Sequence, residues 1–201
     1  MNKLIAIVGA SGAGKTALVR ALSKAYPFAT AFEQHIERSF QALFKTDKRY
    51  ALANQIDYFL MRAEQEKQVR ASSTIGLIDG GLDLDFHGFT RLFHSRGLLT
   101  DPDLDLCRRV YAFIRETLPR PELIVRLDAD VETVASRLST RDRINIASAE
   151  DTILFNFFLD EWLADIPSNQ VLELDVSTET LDYNRSIQHI LNHIQARRDL
   201  T

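Results

Sequence analysis

The sequence contains a single cysteine, Cys107. An intrachain disulfide and a cysteine-built zinc site are therefore both excluded. Basic residues are not in excess: 24 Lys and Arg stand against 28 Asp and Glu, for a net charge of −4. Binding a nucleic-acid backbone ordinarily takes a basic face, so a general nucleic-acid role is not expected. No stretch approaches the roughly 18 continuous apolar residues of a membrane span. The run from Met1 to Gly9 is apolar but short. It lacks the longer apolar region and small-residue cleavage site of a secretory signal. A cytoplasmic chain that engages neither membrane nor nucleic acid is the expectation. Internal repeats, low-complexity tracts and linkers are also missing, so one domain over residues 1–201 is expected.

What is present is a regular alternation. Short apolar segments rich in β-branched residues read as strands at Leu4–Val8, Ala29–Phe32, Ile75–Ile78, Leu123–Leu127 and Val171–Leu174. Helical patterns fill the gaps, at Lys15–Ala25, Ile36–Phe44, Ala51–Ala71, Phe86–Ser95, Pro102–Leu118, Val131–Leu138, Ala149–Leu163 and Leu181–Arg197. Asp101 before Pro102 suits a helix cap and first turn, and Asp130 suits a cap after the fourth strand. Strands buried on both faces and alternating with helices predict an α/β fold, a five-stranded parallel sheet with helices on both sides. In such sheets ligands bind beyond the carboxyl ends of the strands.

The strongest motif stands at that place. Gly9-Ala10-Ser11-Gly12-Ala13-Gly14-Lys15-Thr16 matches the phosphate-binding P-loop, directly after a strand and opening a helix. The glycines let the backbone wrap a phosphate, and the helix N-terminus faces the anion. Lys15 is expected at the β- and γ-phosphates of ATP, and the Thr16 hydroxyl on Mg²⁺. The guanine-reading Asn-Lys-x-Asp of a regulatory GTPase is missing, and 201 residues are short for a large ATPase. A small-molecule kinase fits the length. It needs a base, a metal carboxylate and a charge-neutralising lid. Glu33 follows the second strand, and Asp79, a candidate metal ligand beside Thr16, follows the third. Arg137, Arg141 and Arg143 follow the fourth and suit transferring phosphates.

These residues together resemble the deoxyribonucleoside kinase family, within the P-loop fold, over nearly the whole chain. The resemblance implies that Glu33, in Phe32-Glu33, is the base for a nucleoside 5′-hydroxyl. It implies that Gln55, in Asn54-Gln55-Ile56-Asp57-Tyr58, reads the base edge, with a lid over about 137–148. It places Arg141 and Asp175 beside the ATP, Asp175 lying in the segment Val171–Val176. It sets Asp85 where bases are discriminated, although Asp85 equally suits a cap for the helix starting near Phe86; Phe86 and Phe89 suit either stacking on a base or packing between helices. Mg²⁺, ATP as donor, a small nucleoside or nucleotide acceptor and a homodimer are implied.

Three departures touch the acceptor side. Where the family has acid, arginine and a small residue, this chain has Asp79-Gly80-Gly81, so the arginine is missing. Arg38 or Arg91 could supply a guanidinium from elsewhere. Phe44 stands at the place of a sugar-binding tyrosine, and Ile146 near that of an acidic lid residue. Two rival readings therefore stay open: a nucleoside monophosphate kinase, and an ATP-binding regulatory protein without acceptor chemistry. His189 and His193 are four apart on one helix, but without a third ligand they are read as surface or capping residues. Asp128 is read with Asp130 as a helix start, and Trp162, Phe155, Phe158 and Leu159 as packing residues. Replacing Lys15 by Ala is expected to abolish ATP-dependent turnover, as followed by ADP release.

Overall fold

The computed structural model describes residues 2–31, 38–139, 149–180, 182–197 and 200. Five strands form one parallel sheet: β1 (Leu4–Val8), β2 (Ala29–Ala31), β3 (Gly76–Asp79), β4 (Leu123–Asp128) and β5 (Val171–Asp175). Their order across the sheet is β2-β3-β1-β4-β5. Each observed strand lies within one residue of its predicted span. Ile5 pairs with Leu77 on one side and Leu123 on the other, which aligns the carboxyl ends of β1, β3 and β4.

Strand alternation divides the core in two. Leu4, Ala6, Val8, Ile78 and Ile124 face α3 (Ala51–Arg70) and α8 (Ala149–Ala164), and pack with Val69, Phe155, Leu159 and Trp162. Ile5, Ile7, Leu77, Leu123 and Val125 face the opposite layer. There they meet Leu18 and Leu22 of α1 (Lys15–Ala25), and Ile187 and Ile190 of α9 (Asn184–Ala196). The short helices α2 (Ser39–Thr46) and α7 (Val131–Ser139) lie against α3 and α8 respectively. Trp162, Phe155, Phe158 and Leu159 are all buried, as their spacing predicted.

A third core lies outside the sheet, between α3, α6 (Asp101–Thr117) and residues 82–95. Here the sequence reading needs two corrections. The cap of α6 is Thr100, not Asp101: Thr100 and Asp103 bond each other reciprocally, and Asp101 is the first helical residue. The helix expected from Phe86 begins earlier and is not uniform. It runs as α4 (Leu82–Leu84), a π-helical segment Asp85–Thr90, and α5 (Arg91–Ser95). The cause is tertiary. Gly88 lies so close to α8 that a Cβ there would overlap the Phe155 ring, and a widened turn is how a helix accommodates such an approach. Asp130 does cap its helix, accepting from the Thr133 amide at 2.6 Å. Gly88→Val is expected to destabilise the fold by about 1–3 kcal/mol through overpacking, read as a lower urea midpoint.

Candidate active site

The P-loop runs from the end of β1 into α1. Gly9, Gly12 and Gly14 hold φ values of +145°, +87° and +106°, conformations that side-chain-bearing residues rarely adopt. A Cβ on Gly9 would stand 2.6 Å from the Leu127 carbonyl oxygen, and one on Gly14 would overlap the buried Tyr183 hydroxyl. The Lys15 ammonium folds over its own loop, donating to the Gly9 and Ala10 carbonyls at 3.0 and 2.9 Å. Thr16 donates its hydroxyl proton to the Asp79 carboxylate at 2.5 Å, joining the loop to the end of β3. Asp79 is 1% exposed.

Beside Asp79 the chain turns through Gly80 and Gly81, at φ +85° and +112°. The Gly80 amide donates to the Ile7 carbonyl, and the Leu82 amide to the Glu66 carboxylate. Arg62 of α3 fills the space at Gly80. Its Nη1 donates to the Asp79 carbonyl at 3.0 Å and to the Gln65 side-chain oxygen at 3.1 Å, and its Nε to the Asp85 carboxylate at 2.9 Å. A Cβ on Gly80 would be 3.3 Å from Arg62 Nη2. Arg62, Asp85, Gln55, Tyr58 and Phe89 line a cavity of about 60 Å³ at this edge of the sheet. Gln55 is held there by donating to Thr90 Oγ1 at 2.8 Å.

The family described as Deoxynucleoside kinase matches residues 5–197. The chain belongs to the deoxynucleoside kinase family. It is 32% identical over 140 residues to a deoxyadenosine kinase of Dictyostelium discoideum, covering 69% of this chain and 57% of that protein's length. It is 21% identical over 199 residues to a deoxyadenosine/deoxycytidine kinase of Bacillus subtilis, covering 96% and 92%. The structure of deoxyadenosine kinase from M. mycoides with bound dCTP superposes with a TM-score of 0.79 at 20% identity, over 96% of this chain and all of that one. The fold is shared.

Against this deoxynucleoside kinase fold the predicted site residues divide. Thr16, Asp79, Gln55, Asp85 and Phe89 converge on the edge beyond β1 and β3. Asp85 is no helix cap, since its carboxylate is bound to Arg62. Phe44 lies behind the cavity wall, buried in the third core with its ring 5.2 Å from that of Phe93, which lines the cavity. Its all-carbon ring is satisfied by that packing. Phe86 is likewise stacked on Tyr111, at 4.4 Å and 10°. Arg137 donates to the carbonyls of Ala13 and Val176, tying α7 to the P-loop and the end of β5. Asp175 accepts from the Ser177 hydroxyl and amide. Glu33, Arg141, Arg143 and Ile146 lie outside the described residues.

The guanidinium at Gly80 comes from neither residue proposed for it. Arg38 pairs with Asp57, while Arg91 pairs with Glu161 and covers the Phe158 ring. Arg62 was missed because nothing local distinguishes it. The available signal was its place seven residues after Gln55, two helical turns on and on the same face.

A second buried network lies one turn further along α3, at Glu66. Arg115 bridges Glu66 and Asp83, at 2.7 and 2.9 Å. Burial disfavours the Arg115 charge, but Asp83 and Glu66 more than offset this and hold its pKa high. Tyr111 donates to Asp83 at 2.6 Å, and burial pushes its phenol pKa well up. His87 stacks on Trp162, at 4.9 Å and 5°, with Nε2 3.4 Å from the Tyr111 hydroxyl. Burial pushes its pKa down to about 4; Asp83 opposes the shift, and Arg120, Arg91 and Arg115 reinforce it. In the unfolded chain the same imidazole protonates near pH 6.5. The unfolded state thus binds more protons between pH 6.5 and 4. Stability from His87 is complete above pH 6.5 and lost as the pH falls toward 4. The expected slope in that window is about 1.4 kcal/mol per pH unit at most. Urea denaturation of wild type and His87→Phe across pH 7 to 4 should show the extra slope only in the wild type.

Proposed function

We propose that this chain is an ATP-dependent phosphotransferase that moves the γ-phosphate of ATP to the 5′-hydroxyl of a deoxynucleoside. The observation that carries the reading is the bond between Thr16 and Asp79. It sets the P-loop beside the cavity that holds Gln55, Arg62 and Asp85. A donor cradle and an acceptor wall then meet at one edge of the sheet, in a chain whose family match runs from residue 5 to 197.

In this reading the amides of residues 9–16 and the N-terminus of α1 hold the β-phosphate. Lys15 leaves the carbonyls of Gly9 and Ala10 to reach the β- and γ-phosphates. The Thr16 hydroxyl and Asp79 carboxylate are the hard oxygen donors that suit Mg²⁺. When bound, that ion neutralises phosphate charge. Glu33 accepts the proton of the 5′-hydroxyl, whose oxygen attacks the γ-phosphorus. Arg137, Arg141 and Arg143 of the lid stabilise the migrating charge, and Arg141 and the Asp175 loop flank the nucleotide. Positioning and electrostatics supply most of the rate. Gln55, Asp85 and Phe89 hold the base. The cavity of about 60 Å³ has room for about two waters, so an acceptor enters by displacing side chains such as Tyr58 and Phe89. The protein works as one kinase domain, in the homodimer that the resemblance implies.

The test is ADP release from ATP and Mg²⁺ across a panel of deoxynucleosides, ribonucleosides and monophosphates. Turnover on a deoxynucleoside is expected. Turnover confined to monophosphates would replace this reading with a nucleoside monophosphate kinase. ATP binding without turnover on any acceptor would leave only a nucleotide-binding protein.

A further inference from the structure

Asn54 precedes Gln55 on α3 and lines the same cavity as Gln55, Arg62 and Asp85. It is 1% exposed, and its side-chain oxygen Oδ1 has no hydrogen-bond partner among the described residues. Its neighbours are otherwise engaged. Gln55 donates to Thr90, and Arg62 to Asp85, Gln65 and the Asp79 carbonyl. A buried carbonyl oxygen without a donor is costly, and native structures rarely keep one unless something else supplies the partner. Here the oxygen belongs to a side chain on the wall of the acceptor cavity, where an apolar residue of similar size would carry no such cost.

We propose that Asn54 is a specificity-determining residue of the acceptor site, whose Oδ1 accepts a hydrogen bond from an amino-bearing base. This rests on the deoxynucleoside kinase reading and deepens it. The cavity presents two acceptors, the Asn54 carbonyl and the Asp85 carboxylate. The Asp85 carboxylate is paired with Arg62, while the Asn54 amide oxygen can accept from a base edge that carries an N–H donor. Adenine, cytosine and guanine each offer an exocyclic amine. Thymine offers one ring N–H flanked by two carbonyls and brings no amino group to Asn54 Oδ1. Discrimination of this kind is strong when the site is built for a donor, because the wrong ligand leaves a buried polar group unmatched.

The experiment compares wild type with Asn54→Leu, of similar size, and Asn54→Ala, which cannot clash. Steady-state kinetics are taken with saturating MgATP on deoxyadenosine, deoxycytidine, deoxyguanosine and thymidine, alongside thermal denaturation without ligand. The wild type should prefer an amino-bearing acceptor. Both variants should melt no lower than the wild type beyond the loss of packing in the alanine variant. KM for ATP should be unchanged. For the preferred acceptor, kcat/KM should fall about tenfold, the size of one hydrogen bond to a buried ligand group, while thymidine is little affected. A preference for thymidine in the wild type would overturn the inference. So would an acceptor preference unchanged in both variants, or an equal loss on all four acceptors with a lowered melting point in Asn54→Leu. A wild type inactive on every deoxynucleoside would instead remove the parent reading.

Discussion

A guanidinium taken out of water costs several kcal/mol unless its charge and its N–H groups are met. Arg62 is 5% exposed and meets that demand through partners from separate parts of the chain. The Asp85 carboxylate comes from the π-helical segment, the Gln65 oxygen from the next turn of α3, and the Asp79 carbonyl from the end of β3. One charge therefore fixes three pieces of chain. The carboxylate of Asp79 also reaches Thr16, so the constraint extends to the P-loop. The pair of glycines after Asp79 belongs to the same geometry. A side chain at Gly80 would press on Arg62 Nη2, and a cationic one would repel it. A larger residue at position 80 would therefore require Arg62 to shift from its present place.

Arg115 repeats the device one layer further out. Glu66 is fully buried and accepts both from Arg115 and from the Leu82 amide, and Asp83 accepts from Arg115 and Tyr111. Buried ion pairs of this kind are weak contributors to net stability, since desolvation consumes most of their Coulomb energy. Their cost when a partner is lost is large, and that is what holds a backbone path in place. Residues 82–90 already bury Leu82, Leu84 and Phe86 in the apolar core, and these carboxylates fix the turns between them. The path then brings Gly88 against Phe155 and His87 against Trp162. Helix α8 is thereby packed on the segment that carries Asp85.

Much of this fold was legible. Strands buried on both faces leave continuous β-branched runs, and all five were placed within a residue of their observed limits. Helix α1 was placed without error because its start is dictated by Gly14 and Lys15. The errors lie where a tertiary contact decides a local outcome. The helix expected from Phe86 is split by the approach of Phe155, sixty-odd residues away in sequence. The α6 cap moved by one residue because Thr100 can form a reciprocal pair with Asp103, and the side chain of Asp101 turns instead to His94. Arg38 and Arg91 could be assigned to Gly80 only while their own partners, Asp57 and Glu161, were unknown.

The two halves of the site differ in legibility for a physical reason. Phosphate is bound by backbone amides, and amides converge only if glycines stand at fixed spacings, so the donor half is a contiguous motif. The proposed acceptor half draws on side chains from α3, the β3 turn and the π-helical segment, with no spacing rule among them. Gln55 and Asp85 could be proposed by resemblance, from the segment Asn54–Tyr58 and the offset of six residues from Asp79. Arg62 and Asn54 could not, since a buried arginine and a buried asparagine on a long helix look like surface residues until the neighbouring elements are in place. The burial itself carries the information. Asn54 and Arg62 lie eight residues apart on α3, and both are withdrawn from water where a helix facing only an apolar core would use leucine. A stripe of polar residues kept at that expense faces something polar, and on this face that is the acceptor cavity.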